Sequence, residues 1–163
     1  NKYFIIFLLF IFWTCSKKPE SKVDKTKKID YTVNRISLVI LGTAQDAGSP
    51  QIACKKECCA NLFDNPNNNR QVVSLGLIDT ENNKTYLFEA TPDIGKQMKM
   101  ITKYESKSNK ESVDGIFLTH AHIGHYTGLM YLGKEAVNST EVPVFTMPKM
   151  VPLLAVMVLG ASW

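Results

Sequence analysis

Histidine is scarce in this chain: there are three among 163 residues, and all lie between positions 120 and 125. Imidazole chemistry is therefore confined to one short stretch. Long apolar runs are also lacking at the start, where Tyr3 to Trp13 stops at eleven residues. A helix crossing a bilayer takes roughly 20, so that run is excluded as a spanning segment. Aromatic residues are missing from the most basic stretch. Lys17, Lys18, Lys22, Lys25, Lys27 and Lys28 have no aromatic interleaved before Tyr31, which argues against nucleic-acid binding and for a solvated tether. The formal net charge is only +4, and no strongly acidic or basic partner is implied.

What is present is the composition of a folded chain, 45% hydrophobic and 21% charged, which excludes general disorder. Lys2, the apolar run and then Thr14-Cys15-Ser16 have the form of a secretory leader. With a cysteine at its exit, residues 1–15 resemble a bacterial lipoprotein signal, implying lipidation at Cys15 and an exported, membrane-anchored protein in the periplasm or at the cell surface. A plain signal peptide, or a buried strand with an incidental cysteine, is the alternative. Residues 16–34 read as a Lys-rich linker.

The stretch from Arg35 to Leu41 reads as a first core strand, followed by a loop from Thr43 to Pro50. Cys54, Cys58 and Cys59 come next. Three thiolates on one loop suit a structural metal, whereas an oxidising compartment favours a disulfide from Cys54 to Cys58 or Cys59; both readings stay open. Val72 to Ile78 and Thr85 to Glu89 flank a turn-forming stretch and predict a hairpin. Val113 to Leu118 reads as a buried strand and Tyr126 to Ala136 as a helix. Between them, Thr119-His120-Ala121-His122-Ile123-Gly124-His125 forms a strand-to-helix turn. Extended backbone there would send His120 and His122 to one side, with His125 swinging back one turn later. Neutral imidazole is the commonest protein ligand for zinc. The plainer alternative is a surface loop of histidines without a metal.

The sequence His120-Ala121-His122-Ile123-Gly124-His125, after an apolar strand and before Tyr126-Thr127-Gly128-Leu129, resembles the H-x-H-x-D-H signature of the metallo-β-lactamase fold. Leu41-Gly42-Thr43-Ala44-Gln45-Asp46-Ala47-Gly48-Ser49-Pro50-Gln51, the cysteine group and Ala90-Thr91-Pro92-Asp93-Ile94 place it nearest the coenzyme PQQ synthesis protein B branch. That likeness implies an α/β fold, a metallo-β-lactamase-type αββα sandwich, of which residues 35–150 supply only the first half. It also implies that His120 and His122 hold a first metal and His125 extends the site. Gly124 stands where the pattern has aspartate, so one zinc ion is expected in place of two. Asp93 is either a carboxylate orienting a ligand histidine or a helix N-cap.

The implied activity is metal-dependent hydrolysis of a small-molecule substrate through an activated water. The alternative is a metal-binding or inactive truncated lipoprotein with no turnover. Val151 to Trp163 is nearly all apolar and reads either as a buried helix or as the aberrant product of a frameshift or truncated gene.

Overall fold

The computed structural model describes residues 35–104, 112–139 and 141–157. These fall in one compact unit, Tyr31–Trp163. Its framework is a five-stranded sheet in the order β1-β2-β3-β4-β5. The strands are β1 (Ile36–Gly42), β2 (Ser74–Asp79), β3 (Lys84–Phe88), β4 (Gly115–Phe117) and β5 (Val144–Phe145). The first three run antiparallel, and β4 and β5 continue parallel to β3. The predicted hairpin is therefore β2–β3. Its turn is braced by Asp79, whose carboxylate accepts the Glu81 and Asn82 backbone N–H groups and the Asn82 side-chain amide. Those bonds, the Asn82 side chain first, hold the Asp79 carboxyl below its ordinary range.

Alternation along the strands divides the sheet into two unlike faces. Leu41, Ile78, Leu87 and Ile116 are buried on one face. Against them pack Ile94, Met98 and Ile101 of the amphipathic helix α2 (Ile94–Ile101), preceded in the chain by the short helix α1 (Glu57–Ala60). The opposite face is apolar and open: Leu38 and Ile40 are 65% and 66% exposed, and Leu75 and Phe145 are also exposed. Leu38 pairs with Leu77 and Ile40 with Leu75. Beyond them, Phe88, Phe117 and Phe145 stack in a row with ring centroids 5.2 and 4.6 Å apart. A single mixed sheet with helices packed against it corresponds to one half of an αββα sandwich.

An open apolar face of this kind drives association. The chain is expected to elute as concentration-dependent oligomers on size exclusion. Leu38→Lys combined with Leu75→Glu should move it toward monomer. A wild-type chain that stays monomeric at every concentration would contradict this.

Two sequence expectations change in detail. The helix expected over Tyr126 to Ala136 begins earlier, as α3 (Ile123–Tyr126), and tightens at once into a 3-10 turn over Thr127–Leu132. Gly128 explains the close packing: a Cβ there would lie 2.2 Å from the Thr91 carbonyl oxygen, and its N–H donates to Ala90 O at 2.8 Å. The last described segment is α4 (Val151–Met157), which is largely exposed apart from Leu154 against the core.

The membrane, signal-peptide and lipoprotein reading is corrected. No helix among the described residues is long and apolar enough to cross a membrane. The longest of them, α2, has eight residues and spans about 12 Å, against a hydrocarbon core of about 30 Å. Residues 1–34, including Cys15, lie outside the described residues.

Candidate metal centre

The site lies where the parallel strands β3 and β4 end side by side. Phe88 pairs with Phe117, so the residues just beyond, Glu89 on one strand and Leu118-Thr119 on the other, are brought together. The Glu89 N–H donates to Phe117 O at 2.9 Å. Glu89 then turns through a left-handed backbone, φ 71°, a conformation costing about 1–3 kcal/mol and concentrated at functional sites. Its carboxylate is buried, accepting the Thr119 hydroxyl in a short hydrogen bond and the Thr119 N–H at 3.3 Å.

His122 has an extended backbone (φ −79°, ψ 143°), and the chain then enters α3. His120 and His125 come together with Glu89, whereas His122 stands outside that group. Ring centroids of His120 and His122 are 4.4 Å apart, those of His120 and His125 4.2 Å, and those of His122 and His125 6.4 Å. His120 and His122 are exposed, while His125 is buried.

Hydrogen bonds decide which nitrogens are free. The Thr119 hydroxyl has one proton, directed to Glu89. It must therefore accept at its 2.8 Å contact with His120 Nδ1, which puts the ring proton on Nδ1 and leaves Nε2 with its lone pair. His122 Nδ1 lies 3.0 Å from Asp46 Oδ2; a proton on that nitrogen would leave Nε2 with its lone pair. This follows the usual pattern in which a metal-binding histidine gives its other N–H to an oxygen.

His125 differs. Its Nδ1 lies 3.3 Å from Glu89 Oε2 but off hydrogen-bond direction, so it is a buried polar atom without a hydrogen-bond partner. A buried ring nitrogen set beside a carboxylate without a hydrogen bond between them is an arrangement that a shared cation would satisfy. Ligand atoms of Glu89, His120 and His125 lie within 4.8 Å of one another. The orphaned nitrogen and the donor set fit a divalent metal.

The remaining sequence candidates are placed as follows. Asp93 Oδ2 accepts the Val72 N–H at 2.9 Å, and its side chain makes no cap hydrogen bond to α2. Its part is to hold the Val72 strand. Gln97, fully buried, completes that support by donating to Val72 O at 2.7 Å and accepting the Thr91 hydroxyl at 2.7 Å. Cys54 and Cys59 form a disulfide and Cys58 is free. The three sulfurs also lie within 4.8 Å of one another, so the loop that carries the disulfide would, if reduced, bring three thiolates together as a metal site needs.

Sequence reasoning gave no role to Glu89 or Asp46. Glu89 carries one signal, an acidic residue closing an apolar strand. Asp46 carries one as well, its place in the Leu41 to Gln51 stretch that resembles the coenzyme PQQ synthesis protein B branch.

Histidines at a sheet end, backed by a buried carboxylate and mounted on half of an αββα sandwich, form a cluster able to hold a metal ion. The metallo-beta-lactamase superfamily model matches residues 69–157, more than half of the chain, and the chain belongs to that superfamily. Coenzyme PQQ synthesis protein B of Rhodopseudomonas palustris (strain TIE-1) is 26% identical over 104 residues, which is 62% of this chain and 33% of that protein. The chain thus spans about a third of the curated relative's length.

Zn(2+)-bound PqqB from Methylobacterium extorquens superposes with a TM-score of 0.55 at 21% identity, covering 72% of this chain and 39% of that one. A diphosphatase from the PhnP family gives 0.54 at 24% identity, covering 75% and 45%. These two likenesses establish the fold.

Proposed function

We propose that this chain carries the metal-binding half of a metal-dependent hydrolase of the coenzyme PQQ synthesis protein B type, acting on a small molecule and not on nucleic acid. The observation that carries the reading is the buried His125 Nδ1, which faces Glu89 without a hydrogen-bond partner, beside His120 and His122, whose Nδ1 atoms face the Thr119 hydroxyl and Asp46. His120, His122 and His125 would hold zinc, with Glu89 at its buried side. A zinc ion in such a site lowers the pKa of a coordinated water to about 7 and polarises an ester, amide or phosphoryl oxygen. Thr119 and Asp46 keep the ring protons on Nδ1 of His120 and His122. Glu89 supplies the negative charge that stabilises a cation there.

A cleft of about 420 Å³ adjoins the turn, with Asp46, Asp93 and Ile123 on its wall together with Arg70 and Lys96. It has the size of a small-molecule site, and its two cations are matched by two carboxylates.

The test is turnover by the zinc-loaded chain on a panel of ester, lactam and phosphodiester substrates. Zinc-dependent hydrolysis that disappears in His120→Ala supports the proposal. Bound zinc with no turnover on the whole panel would leave a metal-binding role alone. That second reading is favoured by one observation: the described ligands all approach from one side, the ends of β3 and β4.

A further inference from the structure

Asp46 lies 74 positions before His120, on the loop that follows β1, yet it meets the histidine turn in two ways. Its Oδ2 stands 3.0 Å from His122 Nδ1. Its backbone fills the place where a side chain at position 124 would begin: a Cβ on Gly124 would lie 1.9 Å from Asp46 O, 2.5 Å from its carbonyl carbon and 2.7 Å from its Cα. Real Cβ atoms do not approach backbone so closely. Only glycine admits this loop.

The loop is not loosely placed. The Thr43 and Ala44 N–H groups both donate to Gln71 O, at 3.0 and 2.8 Å, and the Val73 N–H returns to Ala44 O at 2.9 Å. On the far side of Asp46, Gln45 Nε2 donates to Gly48 O at 2.7 Å and the Ala47 N–H donates to Gln45 Oε1 at 3.1 Å. Val72, the anchor of the first group, is itself held by Asp93 and Gln97. A braced path thus runs from α2 through Val72 and Ala44 to the Asp46 carboxylate.

We propose that Asp46 is a positioning residue of the metal centre. It accepts the Nδ1 proton of His122, turns that ring's Nε2 toward the ion, and brings a carboxylate charge from the β1 loop to a motif whose own position 124 has no room for one. Gly124 is then a docking notch and not a gap in the ligand set. This rests on the metal-centre reading, and the experiment separates the two. Outer partners of ligand histidines typically contribute 10- to 100-fold to metal affinity.

The probe is cobalt(II) alone, titrated into the full chain and followed through its visible absorption. Wild type, Asp46→Ala, Asp46→Asn, His122→Ala and the double variant Asp46→Ala/His122→Ala are compared. Asp46→Ala is expected to weaken binding by about 10- to 100-fold and to shift the visible bands, with Asp46→Asn intermediate. In the His122→Ala background, Asp46→Ala should add nothing, because its effect runs through that ring. Wild-type affinity and bands in Asp46→Ala would overturn the proposal, as would losses that multiply in the double variant. Should Asp46→Ala fail to fold by circular dichroism, the near-isosteric Asp46→Asn decides on the same bands. A wild-type chain that binds no cobalt(II) would instead overturn the metal-centre reading itself.

Discussion

Zinc at about a hundredfold its dissociation constant should raise the melting temperature of the chain by roughly 10 °C, and His125→Ala should erase that rise. A ligand that binds only the folded state at this concentration stabilises it by about 2.7 kcal/mol, and for a domain of this size each kcal/mol moves the midpoint by several degrees. His125 is the histidine to remove, because it is the buried one and its Nδ1 has no hydrogen-bond partner of its own. Losing it takes away a ligand atom and leaves the Glu89 carboxylate with Thr119 and His120 alone beside it. The loss of zinc affinity should exceed the roughly 10- to 100-fold assigned to outer partners. Competition against a chromophoric chelator measures it. Zinc raising the melting temperature of His125→Ala as much as that of wild type would show that the ion sits elsewhere.

The gathering of the histidines was legible because it is local: three rings in six positions, placed by the alternation of a strand and the first turn of a helix. The hairpin and the first strand were legible for the same reason, since each is encoded by a short period and a turn between. Glu89 was not, because its approach to Thr119 depends on β3 and β4 lying parallel in one register, which no local pattern encodes. Asp46 was hidden for a stronger reason. Its loop reaches the turn only because position 124 lacks a side chain, so the signal was an absence, and an absent carboxylate reads as a missing ligand. The helix after the turn was drawn too long because propensity carries no information about Gly128 pressed against the Thr91 carbonyl. The cysteine loop left metal and disulfide open, and the pairing of Cys54 with Cys59 depends on a loop fold that spacing does not define.

Gly124→Asp, which would restore the aspartate of the H-x-H-x-D-H pattern, should damage the centre instead of completing it. The added Cβ would fall within 1.9 to 2.7 Å of three backbone atoms of Asp46, and backbone cannot rotate aside as a side-chain tip can. Overpacking of a tight contact costs about 1–3 kcal/mol, occasionally more, and three such approaches place this substitution at the upper end. The displaced loop would carry Asp46 away from His122, and the new carboxylate would stand close to the old one. Gly124→Ala separates the two effects, having the Cβ without the charge. Both variants should melt at least several degrees below wild type, with Asp lowest, and both should bind cobalt(II) more weakly, with no gain in stoichiometry. Thermal melts and metal analysis of the purified variants test this directly. A Gly124→Asp protein that melts like wild type and takes up a second ion would mean that the Asp46 loop yields easily, and that the turn has room for the second position after all.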